Sequence, residues 1–284
     1  MPEFDTPEPI HVLVDAGGVQ LTVHAVERAR TTTVEVAPHS ANRSADVQHA
    51  ERITAELVGA RLSIRAPRTP KSRLRSLFGG SERADLVITV PAGSRLEMRG
   101  WGDVRTDGPL GPVDIDTGMG DITLEQTEDV RAKSGMGEVR LEAATGPVEL
   151  YSSMGSITVG RTGSDVTAKS SLGDIRIEEG GGELRLSTST GSVRVQRALA
   201  GVTASTPAGD IVLSSVCTGL IDARTSYGQL EIGVAHGSAA WLDVNTRHGA
   251  VRSSLESTDG PGEAELTVRI HAAVTYGDIL LRRA

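Results

Sequence analysis

Four consecutive stretches of the chain read GMGDITLEQTEDVRAKS (residues 118–134), GMGEVRLEAATGPVELYS (135–152), SMGSITVGRTGSDVTAKS (153–170) and SLGDIRIEEGGGELRLST (171–188). They are variants of one pattern, in which a marker glycine recurs at intervals of 17 or 18 residues. Similar copies begin at Gly100 and continue to the C-terminus, where TYGDILL is a last partial copy. A repeat of this length is typical of solenoid proteins, in which each copy forms one winding.

Each copy contains two short runs in which apolar and polar residues alternate. In the copy that begins at Ser171, these runs are Ile175–Ile177 and Leu184–Leu186. Alternation with a period of two predicts strands with one buried face, and glycines between the runs are suited to sharp turns. No helical pattern interrupts the copies. The sequence therefore predicts an all-β fold, a parallel β-helix or β-roll solenoid with windings of about 18 residues stacked on each other in chain order.

The repeat also predicts how the chain is organised. Residues 100–284 form the regular part of the solenoid, whereas residues 1–99 contain strand-like runs without a fixed period. Terminal repeats of solenoids are atypical because they cover the ends of the core. We therefore expect residues 1–99 to form irregular windings that cap the solenoid, and the whole chain to form one continuous domain.

Composition excludes several classes of protein. The chain has 284 residues, a net charge of −8 and only 2% aromatic residues. This acidic balance argues against nucleic acid as a partner. A single cysteine excludes a disulfide framework and suits a reducing compartment. The N-terminal stretch MPEFDTPEPIHVLV lacks the pattern of a signal peptide, and no apolar run is long enough to span a membrane, so we expect a cytoplasmic location.

A resemblance to a known family rests on three motifs. They are an opening strand pair around Gly17-Gly18-Val19, the stretch LVITVPAGSRL (residues 86–96) and the serial Gly-Asp-Ile/Val units. Together they resemble the bacterial β-strand-repeat family known as "putative adhesin", a domain of unknown function. The resemblance covers nearly the whole chain and implies a right-handed parallel β-helix with no established catalytic residues. It also implies an adhesin-like role or an association with envelope or membrane stress.

The motifs of catalysis and metal binding are weak in this sequence. Calcium-binding β-rolls place an aspartate two residues after the glycine, whereas here the acid follows directly, as in Gly120-Asp121. Hydrolysis of glycosidic bonds needs two carboxyl groups at a controlled separation, and no pair stands out. We therefore predict a non-catalytic binding or scaffold protein without a cofactor or metal. The alternative is a β-helix enzyme that acts on acidic polysaccharide.

One segment, RTPKSRLRSLFGGSER (residues 68–83), departs from the strand pattern and combines basic with apolar residues. It is either a solvated loop or an element that binds an anionic membrane surface or a protein partner. The candidate contact residues are Arg68, Lys71, Arg73, Leu74, Arg75, Leu77 and Phe78.

Large apolar residues stand directly before the marker glycines of the first five copies. They are Trp101, Met119, Met136, Met154 and Leu172. If these side chains point inward, they thicken the core at a corner; if they point outward, they form an apolar stripe for docking. At the C-terminal end, no amphipathic helix follows to cover the last strands. An open sheet edge there favours a homo-oligomer.

Overall fold

The computed structural model describes residues 2–66, 82–255 and 266–284. Strand accounts for 69% and helix for 3% of the structure, which confirms the predicted all-β fold. The chain divides into two compact units, unit 1 (residues 1–137) and unit 2 (residues 138–284). The predicted division between residues 1–99 and 100–284 stays a prediction.

Unit 1 contains short strands and a helix, α1 (Ser44–Arg52). Its strands are β1 (Glu3–Asp5), β2 (His11–Gly17), β3 (Val19–Val26), β4 (Thr31–Pro38), β5 (Thr54–Val58), β6 (Arg61–Arg65), β7 (Ala84–Pro91), β8 (Arg95–Trp101), β9 (Val104–Pro109), β10 (Val113–Thr117), β11 (Ile122–Thr127) and β12 (Val130–Met136). Two sheets result, with the strand orders β1-β4-β7-β3-β9-β11 and β5-β6-β2-β8-β10-β12.

The first winding of unit 1 does not lie at the end of the stack. Strand β2 pairs in parallel with β6 on one side and β8 on the other, and β3 pairs in parallel with β7 and β9. The winding made by β2 and β3 is therefore enclosed by windings that come later in the chain. The expectation of stacking in chain order is wrong here, because windings with the same alternation offer equivalent edges for pairing.

The N-terminal end is capped by antiparallel strands and a helix rather than by wider windings. Strand β4 runs antiparallel to both β7 and β1, and β5 runs antiparallel to β6. Helix α1 packs against β4 and β7. Asp46 in its first turn and Arg52 in its last turn suit the helix dipole. Helix α1 was not predicted from the sequence, because its nine residues carry little periodic signal.

Polar contacts fasten this helix to the strands. His49 is buried and its Nε2 lies 3.0 Å from the Gly17 carbonyl oxygen. Arg52 donates a hydrogen bond of 2.6 Å to Glu82, and the buried carboxylate of Asp46 accepts the backbone N–H of Arg83 at 3.0 Å. Burial lowers the pKa of His49, although the nearby carboxylate of Glu82 acts in the opposite direction.

Unit 2 holds the more regular windings. Its strands are β13 (Val139–Ala144), β14 (Val148–Met154), β15 (Ile157–Thr162), β16 (Val166–Leu172), β17 (Ile175–Gly180), β18 (Leu184–Thr190), β19 (Val193–Ala198), β20 (Val202–Ala208), β21 (Ile211–Val216), β22 (Gly219–Tyr227), β23 (Leu230–Val234), β24 (Ser238–His248), β25 (Val251–Ser253), β26 (Leu266–Tyr276) and β27 (Ile279–Arg283). The sheet orders are β13-β15-β17-β19-β21-β23-β27-β25 and β14-β16-β18-β20-β22-β26-β24.

Identical positions of successive windings lie in register in unit 2. One interior file contains Val139, Ile157, Ile175, Val193 and Ile211. Each of these side chains is at most 1% exposed. The alternation in the sequence therefore places every second residue in a continuous aliphatic core, which confirms the predicted parallel solenoid.

The last winding of unit 2 is also out of chain order. Strand β26 pairs in parallel with β22 and β24, and β27 pairs in parallel with β23 and β25. The winding made by β24 and β25 therefore ends the stack, although it comes earlier in the chain. The C-terminal strands lie one position inside the edge.

The corners combine a buried hydroxyl with a glycine in a backbone conformation that other residues rarely adopt. Thr188 donates a hydrogen bond of 2.9 Å to the carbonyl oxygen of Gly173, and Ser170 donates one of 3.1 Å to that of Gly155. Gly173 has a φ of 151°, and a Cβ atom at this position would lie 2.3 Å from the Gly155 carbonyl oxygen. The repeat therefore requires a marker glycine for close approach as well as for turning.

Replacement of a marker glycine tests this requirement. We expect Gly173→Ala to lower the free energy of unfolding by about 2 kcal/mol or more, because the new Cβ meets backbone atoms and the φ is unfavourable. Gly163→Ala is the matched control, since a Cβ there meets nothing within 4 Å, and its effect should stay within about 0.5 kcal/mol. Denaturant unfolding measures both values, and equal effects would contradict the explanation.

The capping helix should make the stability of the protein depend on pH. The pKa of His49 is below its ordinary value of 6.5 in the folded state. As the pH falls below 6.5, His49 takes up a proton in the unfolded chain more readily than in the folded chain. The stabilisation of the folded state by neutral His49 is therefore fully present above pH 6.5, and it is lost as the pH falls towards the lower pKa of the folded state. We expect His49→Gln to reduce the fall in melting temperature between about pH 7.5 and about pH 5.5. His236→Gln, at an exposed position, is the control, and equal falls in wild type and His49→Gln would refute the assignment.

Candidate binding surfaces

The residue before each marker glycine points to solvent. In the copy that contains Ser170, this hydroxyl side chain is buried, and the alternation then breaks, so that both Ser171 and Leu172 point outward. Leu172 is 52% exposed. We call the set of residues in this position the corner column. In unit 1 it contains Trp101, Met119 and Met136, and in unit 2 it contains Met154, Leu172, Thr190, Ala208, Tyr227, Tyr276 and His248.

In unit 1 the corner column presents three large apolar side chains. Trp101, Met119 and Met136 are 38%, 52% and 39% exposed. The indole of Trp101 lies over the backbone of the first winding, where a Cβ added at Gly17 would come within 2.2 Å of its Nε1 atom. The interpretation that these residues thicken the core is therefore wrong, since they lie on the outside.

In unit 2 the corner column changes character along the stack. Met154 and Leu172 are exposed apolar residues, whereas Thr190 and Ala208 are small. The sequence pattern identified these positions, and the structure settles the direction in which the two apolar side chains point. Whether they bind a partner stays a prediction.

Farther along unit 2 the same column forms an aromatic ladder, which we define as Tyr227, Tyr276 and His248. The rings of Tyr227 and Tyr276 are stacked with centroids 5.0 Å apart and an angle of 4° between the planes. The rings of His248 and Tyr276 are stacked at 4.7 Å and 12°. The sequence alone does not predict this ladder, although all three residues precede a marker glycine, because stacking in chain order would not place Tyr276 between Tyr227 and His248.

The carboxylates that follow the marker glycines have a structural role. Asp174 accepts the backbone N–H of Ser192 at 2.9 Å, and Asp210 accepts that of Gln229 at 2.8 Å. Each aspartate thus tethers the turn of the next winding. Across the described ranges, no group of three or more His, Cys, Asp or Glu residues is arranged to hold a metal ion.

An acidic residue on the outer face of unit 1 illustrates how the surface charges are paired. Arg99 donates hydrogen bonds of 3.0 and 2.8 Å to the two carboxylate oxygens of Asp114. This hydrogen-bonded guanidinium lowers the pKa of Asp114, and the carboxylate in turn raises the pKa of Arg99. A general acid for glycosidic cleavage needs a raised pKa, so Asp114 does not suit that role.

The C-terminal edge of unit 2 leaves interior positions uncovered. Leu242 on β24 is in register with the buried Ile270, but it is 42% exposed. Val251 on β25 is in register with the buried Ile279 and is 43% exposed. The open edge expected from the sequence thus belongs to β24 and β25, and not to the strands that end the chain.

Most of the basic segment at 68–83 lies outside the residues that the structure describes. All seven of its candidate contact residues, Arg68, Lys71, Arg73, Leu74, Arg75, Leu77 and Phe78, lie outside the described residues. In the parts of the chain that are described, no helix has the length and apolar character needed to cross a membrane.

Several solved structures are similar to this chain at low identity. A "putative adhesin" of Bacteroides fragilis is 10% identical, with 100% of this chain and 95% of that chain covered and a TM-score of 0.34. A "putative adhesin" of Parabacteroides distasonis is 13% identical over 98% and 95% of the two chains, with a TM-score of 0.33. A "putative lipid binding protein" of Parabacteroides distasonis is 10% identical over 100% and 95%, with a TM-score of 0.35.

Family membership rests on the sequence itself. No curated protein matches the chain. The model of the Toastrack DUF4097 family, a domain of unknown function, matches residues 14–282, which include the windings of both units and their marker glycines. This chain belongs to the Toastrack DUF4097 family.

Proposed function

We propose that this protein is a non-catalytic binding protein whose corner column contacts a partner. The observation that carries the proposal is the exposure of large apolar side chains at a position that the core does not need. Thr190 and Ala208 occupy the same position in other windings, so the fold tolerates small residues there. Exposed apolar side chains in a row are typical of interaction surfaces.

The chemistry of the column in unit 1 suits an apolar partner. Met119 and Met136 are flexible and polarisable, and Trp101 adds a large ring supported by glycine backbone. Neighbouring windings are about 4.8 Å apart, so side chains on successive windings form a continuous strip. A partner with an apolar segment would bury this strip, and full burial of each methionine contributes about 1.5–3 kcal/mol.

The basic segment at 68–83 remains a second proposed contact, for an anionic membrane surface or an acidic protein. Its support is the sequence pattern alone. The proposed enzyme alternative, cleavage of acidic polysaccharide, has less support, because Asp103, Asp174 and Asp210 of the Gly-Asp units are engaged by backbone N–H groups. A cytoplasmic location likewise stays a prediction.

Affinity capture from the native host tests the binding role. We expect a specific partner to be retained by the wild-type protein and to be recovered at least about ten-fold less with Met119→Thr/Met136→Thr, because apolar contact area is lost. Val58→Thr is the matched control, since Val58 is also exposed but lies outside the column. An additional variant, Arg73→Ser/Arg75→Ser, separates the basic segment from the column. Equal recovery with all variants would contradict both proposed contacts.

We also infer that two copies of the chain associate through the edge of unit 2. Among the described strands, β24 pairs on one side only, with β26. Its eleven residues leave a row of backbone groups available for a further strand. Pairing with a second copy would also cover Leu242 and Val251, which are exposed although they continue the interior files.

Charge at the edge should prevent this association. We expect wild-type protein to be dimeric by light scattering at about 100 µM, and Leu242→Lys/Val251→Lys to be monomeric, because lysines on an edge disfavour strand pairing. Leu220→Lys is the control, since Leu220 is exposed on β22, which has a neighbour on each side. A wild-type protein that stays monomeric at this concentration would refute the association.

A further inference from the structure

A shallow groove lies on the outer face of unit 2 beside the aromatic ladder. It has a volume of about 320 Å³. Its floor crosses four strands along a row of in-register residues, Ser205, Arg224, Ala273 and Asn245. Short side chains, Ser205 and Ala273, alternate in this row with the longer Arg224 and Asn245. The groove is therefore a shallow depression on the side of unit 2.

The aromatic ladder lies next to the groove, because each of its residues directly follows a residue that lines the groove, and it offers a flat apolar surface. Tyr276 covers one face of the Tyr227 ring. On the other side of Tyr227, the in-register residue is Ala208, which carries only a methyl group and leaves that ring face open. Tyr227 is 62% exposed. Because Tyr276 and His248 stack behind it, the ring is held in a fixed orientation and can receive a planar or flat-sided ligand.

The groove also contains a cation without a counter-charge. Arg247 lines the groove and has no ion pair or hydrogen-bond partner among residues 2–66, 82–255 and 266–284. Arg224, in contrast, donates a hydrogen bond of 2.8 Å to Asp222. An unpaired guanidinium suits a carboxylate ligand, which it can bind through two parallel hydrogen bonds.

The remaining polar groups favour a ligand with many hydroxyls. Ser205 and Asn245 supply hydroxyl and amide groups along the floor. The neighbouring row contains Asp222 and Asp243, and Asp243 lies 3.0 Å from the Nδ1 atom of His271. The remaining acceptor positions of these carboxylates can take hydrogen bonds from the hydroxyl groups of a sugar.

We propose that this groove binds an acidic oligosaccharide, with the carboxylate of one sugar on Arg247 and the apolar face of another on Tyr227. Tyr227 and Arg247 lie on strands separated by β26, about 10 Å apart across the sheet, so the ligand has at least two linked rings. The inference rests on the non-catalytic binding role proposed above and adds a ligand class and a second contact surface. It does not involve the apolar column of unit 1.

Titration with a uronic acid trisaccharide tests the proposal. We expect trigalacturonate to bind the full-length protein in calorimetry, and the neutral galactotriose of the same linkage to bind at least about ten-fold more weakly, because it lacks the carboxylates. Arg247→Ser should weaken binding of trigalacturonate by about ten-fold or more and should remove the preference over the neutral sugar. Tyr227→Ala should weaken both sugars, since it removes the ring face.

The controls distinguish the groove from general charge. Arg161→Ser removes an exposed arginine from the other sheet of unit 2 and should leave binding unchanged, and circular dichroism should show that every variant is folded. No binding at about 10 mM trisaccharide, equal loss with Arg161→Ser, or tighter binding of a nucleoside monophosphate would overturn the assignment. Cleavage of the bound trisaccharide would instead refute the non-catalytic role while supporting the site. The capture experiment with Met119→Thr/Met136→Thr tests the apolar column separately, because these substitutions leave the groove unchanged.

Discussion

The structure depends on in-register parallel pairing between windings. This pairing places the same position of neighbouring copies in the same environment, so that Ile157, Ile175 and Val193 share one file and cover each other. A single winding cannot bury its own aliphatic residues, and only its neighbours complete the core. The close approach of backbones at the corners, where a marker glycine faces the preceding one, follows from the same pairing. Positions that face inward are therefore constrained, and positions that face outward are free to vary.

Much of the fold can be predicted from the sequence, because in-register pairing between windings requires the same residue types to recur at a fixed interval. The alternation in a copy such as residues 171–188 specifies two strands, and the marker glycine specifies the corner. The order of the terminal windings does not follow, because β24 and β26 have similar alternation and either could pair with β22. Helix α1 was missed for a different reason. Its stability comes from tertiary contacts such as the hydrogen bond between Arg52 and Glu82, which leave no local pattern.

The candidate surfaces were predictable to a smaller extent. The sequence identified the position of Met119 and Leu172 before the marker glycines, but alternation alone does not say on which side of a turn a side chain lies. The structure decides it, because the alternation breaks after the buried Ser170, and both Ser171 and Leu172 are exposed. The aromatic ladder depended on the order of windings, since Tyr276 lies between Tyr227 and His248 only because β26 is inserted between β22 and β24. Nothing in the sequence distinguishes Arg247 from the arginines that form ion pairs.

The corner column also indicates that the function of this protein depends on residues at its surface. A residue in this column contributes little to the core, since Ala208 and Thr190 are accommodated as well as Leu172. Selection for stability alone would favour polar residues at such exposed positions, because apolar surface promotes aggregation. Large apolar and aromatic residues persist there in both units, with Trp101 38% exposed and Tyr227 62% exposed. Contact with a ligand or partner accounts for them, because such a contact would remove that surface from water.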